Sequence, residues 1–109
     1  MIVERYLAAL CGHDWDALRS CLCDDVVRVG PFRDEYRGVD AYVEFLSALM
    51  PTLPGYSMKV SRITYVDDLA FAELAETVDG VRTEEALVFE FDGECISRVD
   101  VFIKTQAPP

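Results

Sequence analysis

The chain has 109 residues, is 51% hydrophobic, and carries 20 Asp+Glu against 10 Lys+Arg for a formal net charge of -10. Its length supports one domain over residues 1–109, and six Phe, five Tyr and one Trp supply a core that a disordered chain lacks. A surface this acidic repels phosphate backbones and anionic headgroups, so nucleic acid and membrane are excluded as expected partners.

Val3, Tyr6, Leu7 and Leu10 recur at helical spacing, and Gly12 follows as a stop. Asp14 reads as the N-cap of a second helix, with Asp16 in its first turn, Leu18 and Leu22 on its inner stripe, and Asp24-Asp25 as its break. Val26 to Val29 predicts a short strand, and Gly30 to Gly38 (GPFRDEYRG) a charged loop. Val39, Tyr42, Val43, Phe45, Leu46 and Leu49 predict a third helix ended by Pro51 and Pro54. From Tyr56 the period becomes two. Tyr56, Met58 and Val60 share one phase while Ile63 and Tyr65 take the other, a slip that predicts a bulge and a bent strand. Asp67-Asp68, Asp79-Gly80 and Asp92-Gly93 are turn signals separating strands at about 69–78, 81–91 and 95–104, and residues 105–109 (TQAPP) read as a flexible tail. The order predicts an α+β domain with helices on one face of a curved antiparallel sheet.

Cys21 and Cys23 form a C-x-C in a helix-like stretch, and with His13 as the one histidine the ligand spacings of a zinc site are missing. Cys11, Cys21, Cys23 and Cys95 therefore read as reduced cysteines packing as small hydrophobes. Glu4 and Arg5 interrupt any leader-like apolar run, and no stretch approaches the roughly 18 apolar residues of a membrane span, so a cytoplasmic location is expected. Neither a Gly-rich phosphate loop nor a metal-ligand cluster is present in the pattern, and no cofactor is expected.

The helix pair ending in Asp24-Asp25-Val26-Val27, a third helix led by Gly38, and the closing G-x-C-I-x-R-V-x-V-F together resemble the nuclear transport factor 2-like superfamily over residues 2–104. Within it the chain is similar to the SnoaL-like polyketide cyclases and the ketosteroid isomerases. The resemblance implies a cystatin-like roll: a cone-shaped curved antiparallel sheet wrapped round three helices from the N-terminal half, enclosing a deep apolar pocket. It also implies a menu of activities, including isomerases, cyclases, dehydratases, epoxide hydrolases and non-catalytic members, which fold alone does not divide. Tyr6 falls where the isomerases have an oxyanion-hole tyrosine. Their general base falls on Gly30 and their second oxyanion donor on Leu87, so steroid isomerisation is not expected. Of the epoxide hydrolases' Asp-Arg-Asp set, the first aspartate is similar in position to Glu76. The arginine falls on Leu74, and the second aspartate falls near Val101, or on Asp100 after a one-residue shift.

Strand alternation turns Ala70, Ala72, Leu74 and Glu76 toward such a pocket, with Thr83, Glu85, Leu87, Phe89 and Phe91 beside them. Val99, Val101 and Ile103 complete that face, Arg28 shares a side with Val26 and Gly30, and Leu22, Phe45 and Leu46 add lining from the N-terminal half. Tyr6, Arg28, Glu76 and Glu85 are the polar candidates. A carboxyl among aliphatics has its pKa raised by desolvation, an arginine orients oxygens, and a tyrosine donates to a carbonyl gaining charge. Plainer readings stand beside these: Tyr6 as a core tyrosine, Glu76 and Glu85 as wetted strand-end residues, and Arg28–Glu85 as a structural ion pair. His13 reads as an exposed junction residue, Trp15 as a core or lid aromatic, and Arg33-Asp34-Glu35 as a solvated loop. The other sheet face carries Phe71, Ala75, Ala86, Val88 and Phe102 among charges, which predicts a homodimer through that face. The expected role is acid/base chemistry on an apolar oxygenated metabolite such as a polyketide or terpenoid, with Glu85 or Glu76 as the acid/base and Tyr6 and Arg28 polarising the substrate oxygen. The alternative is a non-catalytic hydrophobic-ligand-binding or dimeric assembly module.

Overall fold

The computed structural model describes residues 1–104. Helix α1 (Ile2–Cys11) buries the stripe Val3, Tyr6, Leu7 and Leu10. The junction after it is turned by His13, whose φ is 54°, while Gly12 stays at φ -85°. Asp14 then caps α2 (Trp15–Ser20) by accepting a hydrogen bond from the Ala17 backbone N–H at 3.1 Å. This helix is shorter than expected. It ends at Ser20, and Leu22 opens strand β1 (Leu22–Val29) instead of extending the helical stripe. Asp24 and Asp25 are exposed strand residues, not a break.

The loop expected over residues 30–38 contains a short edge strand, β2 (Glu35–Arg37), paired antiparallel with β1. Helix α3 (Val39–Leu49) follows with Tyr42, Val43 and Leu46 buried, and continues into a 3-10 turn at Met50–Thr52 that accommodates Pro51. Three long hairpin-linked strands and a fourth complete the chain: β3 (Ser57–Val66), β4 (Leu69–Val78), β5 (Val81–Asp92) and β6 (Cys95–Ile103). Their bounds match the expected strands closely. Asp79 and Gly80 both adopt positive φ (51° and 78°), the geometry of a tight hairpin turn that follows the strands' twist. The predicted slip in β3 is a register shift between Val60 and Arg62. The expected tail at 105–109 lies outside the described residues.

The six strands form one sheet in the order β2-β1-β6-β5-β4-β3. All neighbours are antiparallel except β1 and β6, which run parallel. Their ladder is interrupted, because Leu22 pairs with Ile96 and Val27 with Arg98, so β1 bulges outward between the two contacts. Cys23 and Cys95 are joined by a disulfide at that interruption. This corrects the expectation of four reduced cysteines. Cys11 and Cys21 are free, Cys21 buried as a small hydrophobe would be. The helices lie on the concave face, where Val26, Phe89, Ile96 and Val99 are fully buried beneath Val3, Leu18 and Tyr42.

Candidate functional site

Between α1, α3 and the concave face of the sheet lies a cavity of about 280 Å³. Helix α1 contributes Tyr6 and Leu10 to its wall, α3 contributes Leu46 and Leu49, and the turn after α3 adds Met50 and Leu53. Leu74, Leu87, Val101 and Ile103 supply the sheet side. Into this apolar surface project Arg28, Tyr56, Thr83, Glu76 and Glu85.

The two glutamates come together through strand register. Leu74 on β4 lies opposite Glu85 on β5, and Glu76 lies opposite Thr83, so Glu76 and Glu85 are diagonal neighbours on one face. Glu85 is the one charged-type residue of the buried set among the described residues, at 8% exposure. Burial, then its hydrogen bond to Glu76 and that neighbour's charge, push its carboxyl up to about 9, with Arg28 acting in the opposite direction. Glu85 is therefore the protonated partner near neutral pH. Glu76 accepts a hydrogen bond from the Tyr56 hydroxyl, whose own ionisation is pushed far up, first by burial and then by this carboxylate.

Tyr6 is 2% exposed and packs edge-to-face on Phe89 with ring centroids 5.4 Å apart. Its hydroxyl is hydrogen-bonded to that of Tyr42 at 2.5 Å. Burial raises both phenols, Tyr42 strongly, which keeps both neutral and able to donate. Tyr6 faces the cavity and Tyr42 stands behind it. When Tyr42 donates to Tyr6, the Tyr6 proton is left for whatever occupies the cavity.

Arg28 lies 5.0 Å over the Phe45 ring, and Phe45 is stacked on Tyr36 at 4.0 Å. Its ion partner is Asp34 at 3.9 Å, and not Glu85. Asp34 folds back over Gly30, and a Cβ at position 30 would collide with its carboxylate. A side chain at position 30 would therefore require the Asp34 carboxylate to swing aside.

Of the expected lining, Leu46, Leu74, Leu87, Val101 and Ile103 wall the cavity. Leu22, Phe89 and Val99 are packed into the core behind it, and Phe45 lines a separate surface groove with Tyr36. Asp100 faces outward opposite Val88 and pairs with Arg98 at 2.8 Å, and Val101 is the inward residue. His13 is exposed and stacked on Trp15, which packs at the edge of the core. Two functional candidates were not singled out from sequence. Tyr42 is indistinguishable there from any helix-stripe aromatic. Tyr56 shares the phase of Met58, which pairs with Glu76 across β3 and β4, so its approach to Glu76 was available from the alternation.

Residues 3–99 match the family model described as the SnoaL-like domain. No curated protein matches the sequence. Among solved structures, the chain is similar to a Kribbella flavida protein provisionally described as a ketosteroid isomerase (20% identity, TM-score 0.89, covering 99% of this chain and 78% of that one). It is also similar to an LEH-like epoxide hydrolase from M. tuberculosis (25% identity, TM-score 0.78, covering 94% and 80%). A third similar structure is an NTF-2 like protein of unknown function from Burkholderia xenovorans (19% identity, TM-score 0.85, covering 98% and 84%). The family and fold expected from the sequence are both correct.

Proposed function

We propose that this chain, which belongs to the SnoaL-like domain family, uses its cavity for acid/base chemistry on a small apolar oxygenated molecule. The reaction would be of isomerase, cyclase, dehydratase or epoxide-hydrolase type. The observation that carries this reading is the Glu85–Glu76 pair, one carboxyl kept protonated beside another held by Tyr56, in an otherwise aliphatic wall. Two carboxyls with environments that differ in this way divide the acid and base roles between them. Glu85 gives its proton to a substrate oxygen as negative charge builds there, and Tyr6 donates a hydrogen bond to the same oxygen. Glu76, fixed by Tyr56, accepts a proton from carbon or from an attacking water. The pair then holds one proton again and needs no cofactor to reset.

The test is turnover of a panel of small terpenoid and polyketide enones, ketones and epoxides by wild type and Glu85→Gln. The variant keeps the shape and loses the transferable proton, so kcat should fall about a hundredfold or more while the variant still unfolds in one cooperative transition. Unchanged turnover in Glu85→Gln would remove Glu85 from the mechanism.

A second reading, a hydrophobic-ligand-binding or dimeric assembly module without catalysis, is favoured by Gly30, Leu74 and Val101, each at a position where catalytic relatives carry a charged side chain. It predicts saturable binding with no product. In either reading we propose a homodimer through the outer sheet face, where Phe71 and Phe102 are 39% and 56% exposed around Val88. As to location, no helix among the described residues is long and apolar enough to cross a membrane. The cytoplasmic reading is weakened by the Cys23–Cys95 bond, which persists best in oxidising surroundings.

A further inference from the structure

We propose that Arg28 makes the cavity a receptor for apolar molecules bearing a single carboxylate, held head-first on the guanidinium with the apolar body running toward Glu85. This deepens the small-molecule reading above and rests on it.

The guanidinium is positioned but its donors are unspent. The Arg28 side chain is only 13% exposed and forms part of the cavity wall. Asp34, at 3.9 Å, is beyond hydrogen-bond reach and is itself 40% exposed. Phe45 supports the face of the guanidinium, and Tyr36 supports Phe45 in turn, which fixes the plane and uses none of the N–H groups. A guanidinium carries five such donors in a rigid fork. Among the described residues no buried polar side-chain atom lacks a partner, so the unbonded Arg28 nitrogens keep contact with open space, and Arg28 is part of the cavity wall.

A forked cation at the wall of an apolar chamber matches two coplanar oxygens on a hydrocarbon, which is a carboxylate. One cation balances one charge. A phosphate would bring a second negative charge into a cavity that already contains Glu76, on a chain of net charge -10. The placement also gives direction. Arg28 lies opposite Val99 on β6, and Glu85 lies opposite Ile103 on the same strand. Those two backbone positions are four residues apart, roughly 13 Å along the strand, and both side chains reach from them into the same cavity. A molecule anchored at Arg28 therefore extends its body along that wall toward the carboxyl pair.

Calorimetric titration with citronellic acid and citronellol, which share one branched chain and differ in the head group, tests this on the intact protein. Wild type should prefer the acid by about tenfold or more, the scale of a buried charge-assisted hydrogen bond. Arg28→Met should lose that preference, and Arg28→Lys, which keeps the charge without the fork, should retain part of it. Thermal melting of each variant reports whether the fold survives. Equal affinity of wild type for acid and alcohol, or an acid preference that persists in Arg28→Met, overturns the carboxylate assignment and leaves the cavity reading standing. If neither compound binds wild type at millimolar concentration, the cavity reading falls and the assignment with it.

Discussion

Replacing Glu85 by Gln should abolish most of the pH dependence of stability between about pH 5 and 8. A carboxyl whose folded pKa is raised to about 9 keeps its proton in the native state over that range. In the unfolded chain it titrates near its ordinary value of about 4.3 and has lost the proton. The unfolded state then binds fewer protons, so wild-type stability falls as pH rises, and the loss is complete once pH passes the folded value. One group of this kind changes stability by at most about 1.4 kcal/mol per pH unit, or about 4 kcal/mol over three units. The wall around Glu85 borders a cavity that solvent can enter, so half of that ceiling, about 2 kcal/mol, is the working figure. At about 4 °C per kcal/mol for a domain of this size, wild type should melt about 8 °C below Glu85→Gln at pH 8, and the two should nearly coincide at pH 5. The window is clean. The other shifted carboxyls, Glu4 and Glu73, are lowered and act below it, whereas Cys11 and the shifted tyrosines are raised and act above it. Scanning calorimetry of both proteins at several pH values reads the difference. Parallel curves from pH 5 to 8 would show that Glu85 is not held protonated, and the division of acid and base roles would go with it.

Conversion of a Δ5-3-ketosteroid to its conjugated enone, followed by absorbance, should stay at the uncatalysed rate, because Gly30 and Leu87 carry no carboxyl. Measurable acceleration would show that another group serves as base. Cys95→Ser opens a bridge between residues 72 apart and should cost about 3–4 kcal/mol, seen as a lower melting temperature that reductant reproduces in wild type. A melting temperature indifferent to reductant, or four free thiols in the native protein, would contradict the bond. Phe102→Glu, on the exposed outer face, should yield a monomer by light scattering at tens of micromolar with the helical circular dichroism unchanged. Wild type already monomeric under those conditions would count against that face as an interface.

The second half of the molecule was legible because its signals are local. Asp-Gly turns and a period of two depend only on neighbours, and one bulge was visible as a change of phase. The first half hid one short strand and the opening residues of another, whose end at Val26–Val29 was legible. Asp24 and Asp25 look like a helix break, yet they lie on an outward bulge where β1 leaves the ladder, so water solvates them within a strand. Glu35–Arg37 is three residues of an edge strand, too short and too charged to show alternation. The Cys23–Cys95 pairing depends on β1 meeting β6, a contact that neither local pattern contains. The carboxyl pair was found by face, but its inequality was not. That follows from Tyr56 taking one partner and burial taking the other, and both are tertiary facts.

The parallel contact between β1 and β6 has a consequence for how the domain is made. Strand β6 separates β1 and β2 from β5, β4 and β3, so before it is in place the sheet exists only as two unconnected ribbons. On the ribosome the N-terminal helices emerge early, and their apolar cover, which includes Ile96, Val99 and Val101 of β6, is complete only when the last of the six strands arrives. Such a delay exposes sticky surface and invites chaperone capture or misassembly, and closing so distant a contact slows folding. Deleting β6 would therefore open one wall of the binding chamber and part the sheet in two. A shortened transcript, a stalled ribosome or a cut before Cys95 removes Val101 and Ile103 from the wall and the strand that joins the two ribbons.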